Sequence, residues 1–381
     1  MRRVVITGIG AVTPLGSSFS ESWESLILGI SGISLVDGIR AGFVRGFDAR
    51  GYLSAKEVQR LDPFVHYAVA SSLMALEDAG LRGLSAGGAV IVGSGRGGMG
   101  SIERYYTSGR ASAYMMSAST ILMAASYISK KIGHKGITLG ISNSCASGSS
   151  AIGEGFRLIK SAQADMAIVG GSDAPICGLS IDGYGKSRVL SKSGVMMPFD
   201  RKRDGFVLGE GASMLILEEL SSALRRGARI YAEVVGYGQN ISPSETKPDS
   251  LSQEMAMRSA LAYSGAKPED IDFINAHATA TPLGDASEAQ AIKRVFGTSI
   301  RVTAIKSATG HMIGASGAFE SATTIMAIYK GIVPKIINLS EPEFALNFIR
   351  NIYNKGTIRA GLVNSFGFGG INVVLLFRAI D

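Results

Sequence analysis

The chain has 381 residues, 46% of them hydrophobic, with 49 glycines, two cysteines and 38 basic against 31 acidic residues, a formal charge of +7. Two cysteines cannot build a disulfide framework, and the sequence reads as that of a protein from a reducing compartment, the cytoplasm. No uninterrupted apolar run approaches the ~18 residues of a membrane span, and the basic residues come in short clusters such as Lys130-Lys131 and Arg201-Lys202-Arg203, which argues against nucleic acid and for a small acidic protein or a phosphorylated ligand.

Val4-Val5-Ile6-Thr7 opens the chain as a buried strand, and Gly8, Gly10, Pro14 and Gly16 interrupt the apolar run that a signal peptide would need. "PFVHYAVASSLMALEDAG" from Pro63 has helical spacing. "AVIVGSG" at 89–95 is a second strand, ending in Gly93-x-Gly95-x-x-Gly98. That triplet matches the dinucleotide fingerprint in form, but no acidic residue stands about 20 positions on, so it reads as a glycine turn and no nicotinamide cofactor is expected. "ISNSCASGSSAIGEGFRLI" at 141–159 reads strand, polar turn, helix, with Cys145 in the turn. "MAIVGGSD" at 166–173 is another strand, and Cys177 after it reads as a small buried residue. "GEGASMLILEE" at 209–219 and "GFGGINVVLLF" at 367–377 echo one another, a glycine turn followed by a hydrophobic strand. Strands alternate with helices throughout, which gives an α/β fold with largely buried strands. The echo divides it into two similar α/β halves, 1–228 and 229–381.

Four histidines are present. His66 lies in a helical pattern and His134 beside lysines, and both read as structural or surface residues. His277, in "NAHATATPLGD", and His311, in "KSATGHMIGASGAFE", each stand among small residues that leave room for a ligand; composition alone does not separate that role from a structural one. Lys306 follows a strand, five residues before His311. No recurring Cys/His/carboxylate spacing suggests a metal. Cys145, between a buried strand and a helix, sits where free N–H groups and the helix dipole favour a thiolate. One cysteine, two histidines and a lysine at strand-to-loop junctions have the layout of a thioester-forming acyltransferase.

With "VVITGIGAVTPLG", "GSGRGG", "NSCASGSSAIGEG", "MPFDRKRDGFVLGEGA", "NAHATATPLGDASEAQAIKRVFG", "IKSATGHMIGASGAFE" and "NSFGFGGIN" in that order, the whole chain resembles the β-ketoacyl-acyl-carrier-protein synthases, condensing enzymes of the thiolase-like fold, and within them the elongating type II fatty-acid enzymes. The resemblance implies a layered α-β-α-β-α arrangement, a homodimer and no cofactor or metal. It also implies decarboxylative condensation of an acyl group with malonyl-acyl carrier protein. Carried over residue by residue, Cys145 is the acyl acceptor, His277 and His311 flank the malonyl thioester carbonyl, Lys306 supports His311, and Glu320 is a buried acid. Thr279 and Thr281 touch the phosphopantetheine arm, and Phe366 and Phe368 belong to the loop gating the acyl pocket. Lys130 and Arg203 present charge to the acidic carrier protein. The chain departs from the family pattern at Asn143-Ser144 before the cysteine, at Ala280 between the two threonines, at Ile371, and in a shortened stretch around 107–120. Those departures leave room for a condensing enzyme of a specialised polyketide or polyene pathway. A silent partner subunit, which would lack the cysteine, is the remaining reading.

Overall fold

The computed structural model describes residues 2–110, 113–354 and 356–380. Ala111 and Ser112, inside the stretch expected to be a shortened pocket wall, lie outside the described residues. Eleven strands form the main sheet: β1 (Val4–Val12), β2 (Gly88–Gly93), β3 (Ile137–Ile141), β4 (Met166–Asp173), β5 (Gly211–Glu219), β6 (Ala232–Ile241), β7 (Phe273–Asn275), β8 (Arg301–Thr303), β9 (Asn347–Phe348), β10 (Ala360–Phe366) and β11 (Ile371–Arg378). Their spatial order is β9-β8-β7-β10-β11-β6-β1-β5-β4-β2-β3. Leaving aside the short edge strand β9, this is one pattern written twice, β3-β2-β4-β5-β1 and β8-β7-β10-β11-β6. In each copy three strands run parallel and the fourth returns antiparallel. The echoing strands β5 and β11 take equivalent places, and the copies meet where Val4–Ile6 pair with Ala232–Val234.

Five helices set the layers: α1 (Pro63–Asp78), α2 (Ser147–Lys160), α3 (Ser250–Ser264), α4 (Pro282–Phe296) and α5 (Gly314–Lys330). Asp62 caps α1 and Pro63 occupies its first turn, where a missing N–H costs nothing. Helix α1 packs outside β1 and β5, α3 packs outside β6 and β11 with α4 beside it, and α2 and α5 lie against each other between strands of both copies. The layers are therefore α-β-α-β-α, as expected. The central pair explains the Gly/Ala/Ser-rich sequence that follows Cys145. Every residue of α5 from Gly314 to Ile328 is buried, so this stretch has no solvent face and, apart from Glu320, which is paired with Lys306, carries small or apolar side chains. At Gly148 a Cβ would lie 2.5 Å from the Gly314 carbonyl oxygen and 3.0 Å from the Ala318 Cβ. This contact draws the start of α2, and hence Cys145, against the start of α5, just after His311. Cys177 is half-buried rather than buried; it precedes the helix Gly178–Lys186 and lies 3.5 Å from the Ser180 hydroxyl. Among the described residues no helix is long and apolar enough to cross a membrane.

Candidate active site

Cys145 occupies a single tight turn, Ser144–Ala146, between β3 and α2, and only 3% of its surface is exposed. The turn is fixed by its own polar residues. The Ser147 hydroxyl accepts from the Asn143 N–H at 2.9 Å and donates to the Ser144 carbonyl at 2.6 Å. The Asn143 amide donates to Ser150, so this departure from the family pattern is spent on the start of α2. Ser144 adopts φ +53°, which turns the following cysteine toward the facing loops. Burial pushes the Cys145 thiol up. The Arg96 charge, the backbone N–H of Phe368, a Ser144 hydrogen bond and the Lys306 charge oppose that shift.

Three loops converge on the sulfur. His311 Nε2 lies 3.1 Å from Sγ, and its Nδ1 lies 3.1 Å from the Ser316 hydroxyl. The His277 ring stands edge-on to His311 with centroids 5.6 Å apart, and Phe366 packs on its other side at 5.9 Å. Lys306 corrects the expectation. Its ammonium contacts His277, 3.3 Å from Nδ1 and 2.6 Å from the carbonyl oxygen, and it pairs with Glu320. Only its charge reaches His311. Both partners of the Lys306–Glu320 pair are 1% exposed. Burial, then the Lys306 charge, hold both imidazoles well below the ordinary histidine range, so both are neutral. Burial lifts the Glu320 carboxyl to about 7 against the pull of Lys306.

An ammonium can only donate, so Nδ1 of His277 must be bare and its proton must sit on Nε2. Ser316 can donate or accept, so His311 can hold its proton on either nitrogen. The two histidines, alike in sequence, are chemically different: His277 is a fixed Nε2–H donor, and His311 can accept a proton from the thiol or present one.

Three buried carboxylates hold these loops in place, and sequence reasoning missed all of them. Glu288, on α4, accepts from the N–H groups of His277 (2.8 Å) and Ala278 (2.7 Å) and from the Asn364 amide (2.9 Å). Asp285 accepts from Ala280 and Phe199. Asp173, at the end of β4, accepts from the Ser94 hydroxyl and from the N–H groups of Gly95, Arg96 and Gly314. The glycine turn after β2 thus serves to lay Gly95 against the nucleophile turn and tie it to α5. A carboxylate that serves loop N–H groups across the fold leaves no local spacing to read.

The site opens into a cleft of about 660 Å³ whose lining includes Cys145, His277, His311, Thr279, Thr281 and Phe366. The Thr279 and Thr281 hydroxyls lie 3.2 Å apart, and Thr281 caps α4. Phe368 also lines the cleft, and its ring packs on Tyr184 at 6.3 Å. Arg203 does not present charge. Its side chain is 4% exposed, pairs with Glu343 and lies 3.8 Å from Asp285, and donates to the carbonyls of Asp200 and Pro282. Lys130 is exposed on the helix Leu122–Lys131, stacked on Tyr127, and is not part of the cleft lining. Cys145, His277 and His311 hold their ligand atoms within 4.8 Å of one another, and among the described residues they form the only Cys/His/carboxylate group close enough to share a metal ion. Three separate segments supply it, which is why no local spacing announced it.

The family model "Beta-ketoacyl synthase, N-terminal domain" matches residues 1–223, and "Beta-ketoacyl synthase, C-terminal domain" matches 231–340. The chain is 40% identical to a 3-oxoacyl-[acyl-carrier-protein] synthase 2 of Synechocystis sp. over 407 residues, covering 99% of this chain and 98% of that protein. Among solved structures it is similar to the ishigamide ketosynthase/chain length factor, with a TM-score of 0.93 at 31% identity over all of both chains. It is also similar to a type II polyketide ketosynthase solved with its acyl-carrier protein and a bound hexaketide, with a TM-score of 0.91 at 29% identity, again over all of both chains.

Proposed function

The chain belongs to the β-ketoacyl synthase family, and on that premise we propose that it is a 3-oxoacyl-[acyl-carrier-protein] synthase that carries its acyl group on Cys145. The carrying observation is the pairing of Cys145 Sγ with His311 Nε2 at 3.1 Å, beside a second, neutral histidine at the base of an open cleft.

An acyl thioester on the phosphopantetheine arm of acyl carrier protein enters along Thr279 and Thr281. His311 Nε2 accepts the thiol proton, the sulfur attacks the carbonyl, and the carrier thiol leaves with that proton. The backbone N–H groups of Cys145 and Phe368 stabilise the oxyanion. Malonyl-acyl carrier protein then binds. Its carboxylate leaves as carbon dioxide, and the electron pair moves onto the thioester oxygen, which takes hydrogen bonds from Nε2–H of His277 and His311. The enolate carbon attacks the acyl-cysteine, the carbon–sulfur bond breaks with its electron pair going to Cys145 Sγ, which takes up a proton from water through His311, and 3-oxoacyl carrier protein departs. Lys306 and Glu320 act as positioning residues, fixing the His277 tautomer. Loss of carbon dioxide makes the condensation favourable.

Exposed Arg188 and Lys247 line the cleft and supply basic charge at its rim, so they take the carrier-docking role expected of buried Arg203, while exposed Lys130 keeps the role expected of it. A homodimer is supported by the free edge of β3 and by exposed Leu139, Leu122, Met116 and Tyr106, the last 88% exposed. The division into halves 1–228 and 229–381 belongs to the same proposal. A role in a specialised pathway is the second reading, favoured by the likeness to the ishigamide ketosynthase/chain length factor and to the type II polyketide ketosynthase. Intact-protein mass spectrometry after incubation with acyl-acyl carrier protein tests the assignment. An acyl adduct in the wild type that is absent in Cys145→Ala supports it; an adduct that persists in the variant refutes it.

A further inference from the structure

A second chamber of about 280 Å³, open to solvent past exposed Leu179, Gly183 and Ser187, adjoins the cleft, and Phe368 and Ser187 line both. Its walls include Met99, Leu179 and Phe368, which are apolar, together with Arg96, Tyr184 and Ser180. Arg96 is half-buried, and its backbone N–H is tied to Asp173. Its side chain donates from Nε to the Tyr184 hydroxyl at 2.7 Å, and the guanidinium lies 5.1 Å from that ring's centroid. Among the described residues no carboxylate pairs with it, and its terminal nitrogens have no hydrogen-bond acceptor. The charge is held close to the nucleophile. Gly95, its neighbour, packs on Ser144 beside Cys145, and the Phe368 ring that rests on Tyr184 belongs to the residue whose N–H reaches the sulfur.

A plain alkyl chain pushed into this chamber would strip water from several guanidinium N–H groups and return no acceptor, which is unfavourable. A chain bearing an oxygen there would satisfy them, and a carboxylate would do so with charge assistance. The apolar walls suit the carbon skeleton between that oxygen and the thioester. Resting on the reading that Cys145 carries the acyl group, we propose that the Arg96–Tyr184 chamber receives the far end of that group. There it selects chains carrying an oxygen acceptor, a ketone or a carboxylate, over plain alkyl chains.

The test compares acyl transfer to Cys145 from octanoyl-acyl carrier protein with transfer from its counterparts ending in a methyl ketone or a carboxylate, followed by intact mass. The wild type should load the oxygen-bearing chains with kcat/KM on the order of tenfold higher than octanoyl. Arg96→Met should bring the ratio to one or below, and Arg96→Lys should keep a preference for the carboxylate. Equal or better loading of octanoyl by the wild type overturns the proposal, and that ratio decides alone should Arg96→Met not fold. An unchanged ratio in folded Arg96→Met overturns it too. If no chain loads although iodoacetamide alkylates Cys145, the acyl-cysteine reading itself has failed, and this proposal with it.

Discussion

Replacing Lys306 by methionine removes the ammonium on which Glu320 and His277 both depend. Both side chains of the ion pair are 1% exposed, and breaking a buried pair from one side costs about 3–5 kcal/mol, felt here as Glu320, whose carboxyl burial already lifts to about 7, having to take up a proton on folding and losing its partner. Removing both partners with apolar residues of similar volume is close to neutral, so Lys306→Met/Glu320→Leu should regain most of the lost stability. Catalysis should not follow. Without the ammonium at Nδ1, His277 is free to move its proton off Nε2, and losing one oxyanion donor costs roughly 10²–10³ in rate. Cys145 touches His311 and not Lys306, so acyl loading should fall far less than condensation in both variants. Urea denaturation, intact-mass loading and assay of 3-oxoacyl product measure the three quantities. A double variant that recovers condensation along with stability would show that Lys306 only holds the fold. A single variant as stable as the wild type would show that the pair carries no such energy.

Burial pushes the Cys145 thiol up, so alkylation by iodoacetamide should keep accelerating above pH ~8.5, the ordinary thiol value; a plateau near neutrality would mean a preformed thiolate. Gly148→Ala places a Cβ 2.5 Å from the Gly314 carbonyl oxygen and should cost about 1–3 kcal/mol by forcing α2 and α5 apart, read as a lowered melting temperature. An unchanged melting temperature would mean that the contact is slack.

Much of this was legible because it is local. The glycine-led strands β5 and β11 announced the doubled topology, and Cys145 showed its strand-turn-helix setting in the residues around it. What was not legible depends on contacts distant in sequence. Lys306 precedes His311 by five residues, yet its ammonium reaches His277, because β7 and β8 are neighbours in the sheet and bring the loops that follow them together. Arg201, Lys202 and Arg203 read as one basic cluster. The first two are exposed, while the third turns inward to Asp285 and Glu343. Arg96 looked like one residue of a glycine turn, and only the fold sets it behind Phe368 and Tyr184.

The most direct test is a single turnover. Wild-type protein preloaded on Cys145 is mixed with malonyl-acyl carrier protein, and the enzyme mass, the carbon dioxide released and the carrier-bound product are followed together. The mechanism predicts loss of the acyl mass from the enzyme, one carbon dioxide per acyl group lost, and one 3-oxoacyl carrier protein formed, with no product from Cys145→Ala. Condensation by Cys145→Ala, or product formed while the acyl group remains on the enzyme, would contradict it.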